Sequence, residues 1–297
     1  MTETPSAPRR VSPLMRRERT GIVALAVPNL EEPYFAELTT LLARGAEARG
    51  LSILIQQTEG DHQREIDVAN GVGLPATDGL IHIPRSLTVG DLTRRTDPGP
   101  LVLLGEHIAV SPFTHVSIDN RRTADLATAH LAAVGCRRVA FLGPRLSRPS
   151  DAADQRFTGY RDAVARLGLA DEAGLIVAVD AFTSEEGAAA LGRLHSSGVA
   201  FDGIVCSNDS VAFGVLAALH ERGLAVPSEV AVIGIDNVHA TRFSVPALSS
   251  VAPDDAGIVE AAFTELERQM TARPGADVPV RHIVVDAAVI ARASTAR

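Results

Sequence analysis

The sequence predicts an α/β fold of two similar doubly wound lobes, each built on its own parallel sheet. Three observations predict it. Short runs that are apolar throughout, rather than alternating, suit strands covered by helices on both faces. Amphipathic stretches separate these runs, giving a βαβα order. Ten such runs are too many for one comfortable open sheet, and the pattern restarts after Ile118.

The elements follow in order. Ile22–Val27 reads as the first strand, ended by Pro28-Asn29. A helix over 36–49 puts Leu38, Leu41, Leu42, Gly45 and Ala46 on one face. Strands are expected at 53–56, 80–83, 101–104 and 116–118, then at 139–142, 175–179, 203–206, 230–235 and 283–285. Further helices are expected at 123–134, 157–167, 184–195, 209–222 and 256–270. Gly50, Gly135, Gly168 and Gly223 each follow a helical stretch and suit the left-handed closing position.

Composition bounds the function. The 297 residues are 46% hydrophobic and 22% charged, with a net charge of −8. That is an ordinary soluble composition with room for a large core. Every basic side chain is Arg, which reads as compositional bias. The first 20 residues hold five arginines against two acids, so the remaining chain is more acidic than the total. An acidic body is a poor surface for phosphate backbones. The two cysteines, Cys136 and Cys206, are far apart and form no metal or redox spacing. No stretch is long enough to span a membrane or serve as a secretory apolar core. The expected location is cytoplasmic.

Ligands of doubly wound sheets sit at the carboxyl ends of strands. There the chain places "PNLEEPYF" (28–35), Asp119-Asn120, a long loop over 143–160 with Arg156 near its end, "SNDS" (207–210) and Asp236-Asn237. Singly, each has a plainer reading. Ser207, Asn208 or Asp236 can cap a helix, and Tyr34 and Phe35 can be core. Together they resemble a polar cleft for a small molecule. Carboxylates and amides pair with hydroxyls, Arg binds bidentately, and aromatic faces stack on rings. Sequence motifs for dinucleotide, P-loop, zincin or nucleophile-elbow chemistry are missing, so no enzyme, cofactor or metal is expected.

These residues carry a resemblance. "GIVALAVPNLEEPYFAELTTLLARGAEARG", "DGLIHIP", "VSIDNRRTADLATAHLAAVGCRRVAFLGP", "RFTGYRDAVARLGL", "FDGIVCSNDSVAFGVLAALHERGLAVPSEVAVIGIDN", "PALSSVAPD" and the closing "RAST" resemble the effector-binding domain of the LacI/GalR family of transcriptional regulators. The match runs from Arg19 onward. It implies a fold like the type I periplasmic binding proteins, with three crossovers near 118–120, 250–253 and Asp286. It implies lobes of 21–118 with 252–286, and 119–251 with 287–297, after a flexible arm at 1–20. By motif, Arg156, Asn208 and Asp236 match effector-contacting residues, Asp119 a hinge-side cleft residue, and Tyr34 with Phe35 the first-lobe aromatics.

The resemblance further implies a small effector, a sugar or similar hydroxylated metabolite, with a purine or other ring compound still open. It implies a homodimer using the first helix and the helix after Asn208. DNA enters by family analogy alone. "LMRRERTG" (14–21) resembles the linker to a DNA-binding head, and Pro5, Pro8 and Pro13 oppose paired helices before it. Five arginines on an arm supply only salt-sensitive contact, on the order of 10⁻⁴–10⁻⁶ M. The alternative reading is a transporter's solute-binding protein.

Overall fold

A computed structural model describes residues 19–108, 111–143, 152–273, 276 and 278–297. The arm expected at 1–20 lies almost wholly outside these residues, and so does most of the loop 143–155.

The first sheet takes its strands from β1 (Ile22–Val27), β2 (Ser52–Gln57), β3 (Gly79–His82), β4 (Leu101–Leu104), β5 (Thr114–Ile118) and β11 (His282–Val285). Their spatial order is β2-β1-β3-β4-β5-β11, and every pair is parallel. The second sheet takes β6 (Val139–Leu142), β7 (Ile176–Val177), β8 (Gly203–Cys206), β9 (Ala231–Ile235), β10 (Ser249–Pro253) and β12 (Ala287–Ile290). Its order is β7-β6-β8-β9-β10-β12, parallel except for the antiparallel β10–β12 pair. Each sheet thus runs second, first, third, fourth, fifth by order of appearance. That repeat is why the sequence pattern restarts after Ile118.

The apolar runs behave as two-faced strands. Along β1, Val23, Leu25 and Val27 pack with Leu38 and Leu42 of α1 (Pro33–Glu47) and Phe263 of α8 (Asp255–Thr271). Ala24 and Ala26 face the other way, toward Val68 of α2 (His62–Ala69) and Leu92 of α3 (Val89–Thr93). In the second sheet Leu142, Ile204 and Val232 pack under α6 (Ser184–Ser196) and α7 (Asp209–Glu221). Phe141, Val205 and Ile233 pack under α4 (Asn120–Ala133) and α5 (Ala152–Leu167). Burying each of these Val, Leu, Ile and Phe side chains is worth about 1.5–3 kcal/mol.

Several expectations shift. α1 starts at Pro33, not 36, because Pro at the first helical position loses no hydrogen bond. The strand expected at 175–179 shrinks to β7, preceded by a 3-10 turn at Ala173–Leu175. α2, α3, β10 and β12 lie beyond the expected set. The chain passes between the sheets three times, after β5 at Asp119, after β10 at Asp254, and after β11 at Asp286. β10 runs to Pro253 in the second sheet, so the middle passage falls two residues after the expected lobe boundary. There the Asp254 amide donates to Asp286 O at 2.9 Å.

Candidate functional site

The carboxyl ends of both parallel sheets face a cavity of about 590 Å³. Five of the six expected residues line it: Tyr34, Phe35, Arg156, Asn208 and Asp236. The volume lies inside the roughly 300–1,000 Å³ usual for small-molecule clefts.

Arg156 organises the second-lobe wall. It sits on α5, which begins at Ala152 rather than 157, so Arg156 is held by a helix and not by the expected loop, and only 6% of its surface is exposed. Its Nε donates to Asn120 Oδ1 at 2.6 Å, one Nη donates to Ser207 O, and Nη2 lies 3.4 Å from Asp236 Oδ1. β6 and β8 end close enough for this because Gly143 has no side chain. A Cβ there would fall 2.1 Å from Ser207 Cβ.

Asp236 is held in place by a strained turn. Asp236 and Asn237 have φ of 108° and 55°, conformations that non-glycine residues seldom adopt. Four hydrogen bonds clamp the turn. Asp236 N donates to Val251 O at 3.0 Å and Asn237 N to Ser250 Oγ at 2.9 Å. Val238 N donates to Asp209 Oδ2 at 2.9 Å, and Arg292 Nη2 to Asn237 Oδ1 at 2.6 Å. Arg292 belongs to the closing "RAST", so that segment braces the turn that presents Asp236.

The electrostatics follow from burial. Burial pushes the Asp236 carboxyl up to about 7; Arg156 opposes this, while Asp255, Glu32 and Glu106 add to it. Burial likewise drives the Tyr34 phenol well above its usual value, with Asp255, Asp236 and Glu106 adding, so Tyr34 stays a neutral donor. Asp255, the first residue of α8, is raised to about 6 by burial and by Glu37 and Asp254. Its Oδ1 is buried without a partner.

Two expected residues take the plainer role, one wholly and one in part. Asp119 is exposed, does not line the cavity, and caps α4 by accepting from Arg122 N at 2.9 Å. Its extended backbone aims the carboxylate at its own helix. Its neighbour Asn120, fully buried, makes the inward contact to Arg156. Asn208 caps α7 through Val211 N at 2.9 Å while also lining the cavity.

The cavity also has a wall that reading five strand ends missed. Glu59 and Gly60 follow β2, Pro84 and Arg85 follow β3, and Gly105, Glu106 and His107 follow β4. The same rule applied to those three strands finds them all. Buried Glu65 fixes the β3 loop by accepting from Arg85 N, Ser86 N and Leu87 N at 2.8–2.9 Å. Among the described residues no cluster of His, Cys, Asp or Glu is suited to a metal ion.

Two parallel sheets with strand-end loops facing one cavity define a periplasmic-binding-protein-like binding fold. Residues 128–295 match the family described as periplasmic binding protein-like domain. "HTH-type transcriptional regulator AscG" of Escherichia coli is 34% identical over 220 residues, 73% of this chain and 65% of that protein. A solved LacI-family chain from Sanguibacter keddieii superposes with a TM-score of 0.85 at 36% identity, covering 94% of this chain and all of that one. A sugar-binding LacI-family regulator from Escherichia coli, solved with phosphate, gives 0.74 at 29% identity over 93% of this chain and 99% of its own. The chain belongs to the LacI family. It spans just under two thirds of AscG's length.

Proposed function

We propose that this chain is the sensing part of a LacI/GalR-type transcriptional regulator acting in the cytoplasm. A small hydroxylated effector, a sugar or similar metabolite, enters the cleft and draws the two lobes together. The moving units are residues 21–118 with 254–286, against 119–253 with 287–297. The regulator works as a homodimer, and reading an operator belongs to the whole regulator. Closure matters only if the effector favours one state, typically by about 1–3 kcal/mol.

The observation that carries this reading is the convergence of Arg156, Asn208, Asp236 and Tyr34 on one cavity at the strand ends of both sheets. The two lobes supply different chemistry to it. The first gives aromatic faces and carboxylates. The second gives a braced guanidinium and carboxylate. None of these groups forms a nucleophile–base pair, and the named relatives are regulators.

A thermal-shift screen with sugars and nucleobases tests the reading. A ligand at 100 times its Kd adds about 2.7 kcal/mol of stability, several degrees in Tm. At least one sugar should give such a shift. Arg156→Ala and Asp236→Ala should abolish it in proteins that still fold. An undiminished shift in both variants would place the ligand elsewhere.

A further inference from the structure

Three strands of the first sheet place a histidine in one lateral row. His82 of β3 stands beside Leu103 of β4, Leu103 beside His115 of β5, and His115 beside His282 of β11. The row lies on the face away from α1 and α8, because the residues that alternate with it, Ile81, Val116 and Ile283, pack in the core with those helices. α2 and α3 cover the strands at the His82 end. At the other end the segment after β4 folds back over the sheet, where Ile108 and Phe113 pack with Leu101 and Leu103. The same segment gives Gly105, Glu106 and His107 to the cleft.

The two outer histidines hold that segment at both ends. His115 Nε2 bonds to Gly105 O, and His282 Nε2 lies 3.1 Å from Ser111 O. A carbonyl only accepts, so each Nε2 donates, and a neutral ring with its hydrogen there suffices. Gly105 N donates to Val116 O at 3.0 Å and Ile118 N to Glu106 Oε1 at 3.1 Å, which completes the hold. The rings meet edge to face, with centroids 5.7 Å apart and planes at 81°. His115 is buried and His282 is exposed. Burial lowers the His115 pKa; the Gly105 carbonyl and Glu106 oppose this, and His282 adds to it. From β4 the ring meets Leu103, and Arg281, next to His282, is engaged by Glu265 Oε1 of α8 at 3.0 Å.

We propose that His115 and His282 are positioning residues for the cleft: as neutral rings they pin the segment that forms its Gly105–His107 wall, and in acid they release it. That this wall serves an effector rests on the sensor reading above. A proton on the buried ring is a charge with little water around it and a second imidazole beside it. The charged ring therefore gains by turning outward and dropping Gly105 O. With the folded pKa below the ordinary 6.5, the hold is complete above about pH 6.5 and is lost as pH falls below it.

Hydrogen–deuterium exchange of the full chain at pH 8 and pH 5, corrected for the intrinsic rate at each pH, tests this without a ligand. Protection of the peptide holding Gly105–His107 should fall severalfold in acid, while a peptide from α7 changes little. In His115→Gln an amide that does not titrate donates in place of the ring. Protection at pH 8 should survive there and the acid fall should vanish. In His282→Gln the neighbouring like charge is gone and the fall should shrink. A parent whose Gly105–His107 peptide follows the α7 peptide at both pH values overturns the proposal, and so does an undiminished fall in His115→Gln. Should His115→Gln not fold, NMR of the parent with isotope-labelled histidine decides. One ring should titrate below the ordinary value and move up in His282→Gln, and a spectrum with no such ring overturns the proposal. No effector enters these measurements, so their failure leaves the sensor reading standing, and a failed ligand screen leaves the histidine hold standing.

Discussion

Asp236 is a carboxyl group whose fold works against its own ionisation. An ordinary Asp titrates near 3.9; burial raises this one to about 7. Between those values the folded chain keeps a proton that the unfolded chain has lost. The contribution of Asp236 to stability is therefore fully present below about pH 4, declines as pH rises, and is gone above about 7. Asp236→Asn should flatten that decline, so that urea midpoints at pH 5 and pH 8 lie closer together than in the parent. Equal pH slopes in the two proteins would mean that Asp236 is not protonated in that range. The same residue shows what a loop motif conceals. "GIDN" marks a polar strand end, but its sequence does not disclose two left-handed residues in a row. Those conformations persist because Asp209, Ser250 and Arg292 hold them, through bonds spanning 13–55 residues of chain.

Elements pack here through backbone as well as side chains. α7 lies against α6 so closely that a Cβ on Gly214 would fall 1.8 Å from Ser184 O. Backbone cannot step aside as a side chain can. Gly214→Ala should lower stability by about 1–3 kcal/mol, read as a drop in urea midpoint, since overpacking a tight site costs that much. An unchanged midpoint would show that the two helices separate readily. Strands rich in Val, Ile and Leu were legible in the sequence because burial on both faces needs no polar partner. β10 was not. Its Ser249 and Ser250 look like loop residues, yet both are fully buried. Ser249 Oγ pairs with Thr295 Oγ1 at 2.7 Å, and Ser250 Oγ donates to Asp209 Oδ1 at 2.6 Å. Hydroxyls satisfied by distant partners leave no local pattern. α2 was hidden differently: it has eight residues and a mostly polar surface. The site divides the same way. Tyr34, Phe35, Arg156, Asn208 and Asp236 were legible as strand-end polar and aromatic residues. The exchange of roles between Asp119 and Asn120 was not, because it depends on which side chain the α4 N-terminus captures.

At the scale of the whole molecule, a hydrogen-bonded contact among the described residues links α1 to the second lobe. Glu37 on α1 accepts from the amide of His239, in the second lobe, at 2.8 and 3.1 Å. His239 lies three residues beyond Asp236, so the contact ties the first-lobe helix to the turn that carries the cleft carboxylate. A hydrogen bond to a charged group is worth about 1.5–3 kcal/mol at most, and less where water reaches it. On the sensor reading, Glu37→Ala should favour the open arrangement. It should weaken effector binding severalfold and raise the radius of gyration of the effector-bound protein in small-angle scattering. Unaltered affinity and radius together would remove any part for this contact in closure.

The two hinge-side strands, β11 and β12, have a consequence for how the chain is made. Both are edge strands, one for each sheet, and they lie within nine residues of each other at 282–290. During synthesis neither lobe can finish its sheet until this late stretch leaves the ribosome. β5 and β10 must wait with one side unpaired, an exposed edge of the kind that invites wrong partners. A stop codon or a protease cut just before residue 282 would strip a strand from both lobes at once. Damage at one short place is therefore shared by the whole molecule, and the two lobes stand or fall as one folding unit.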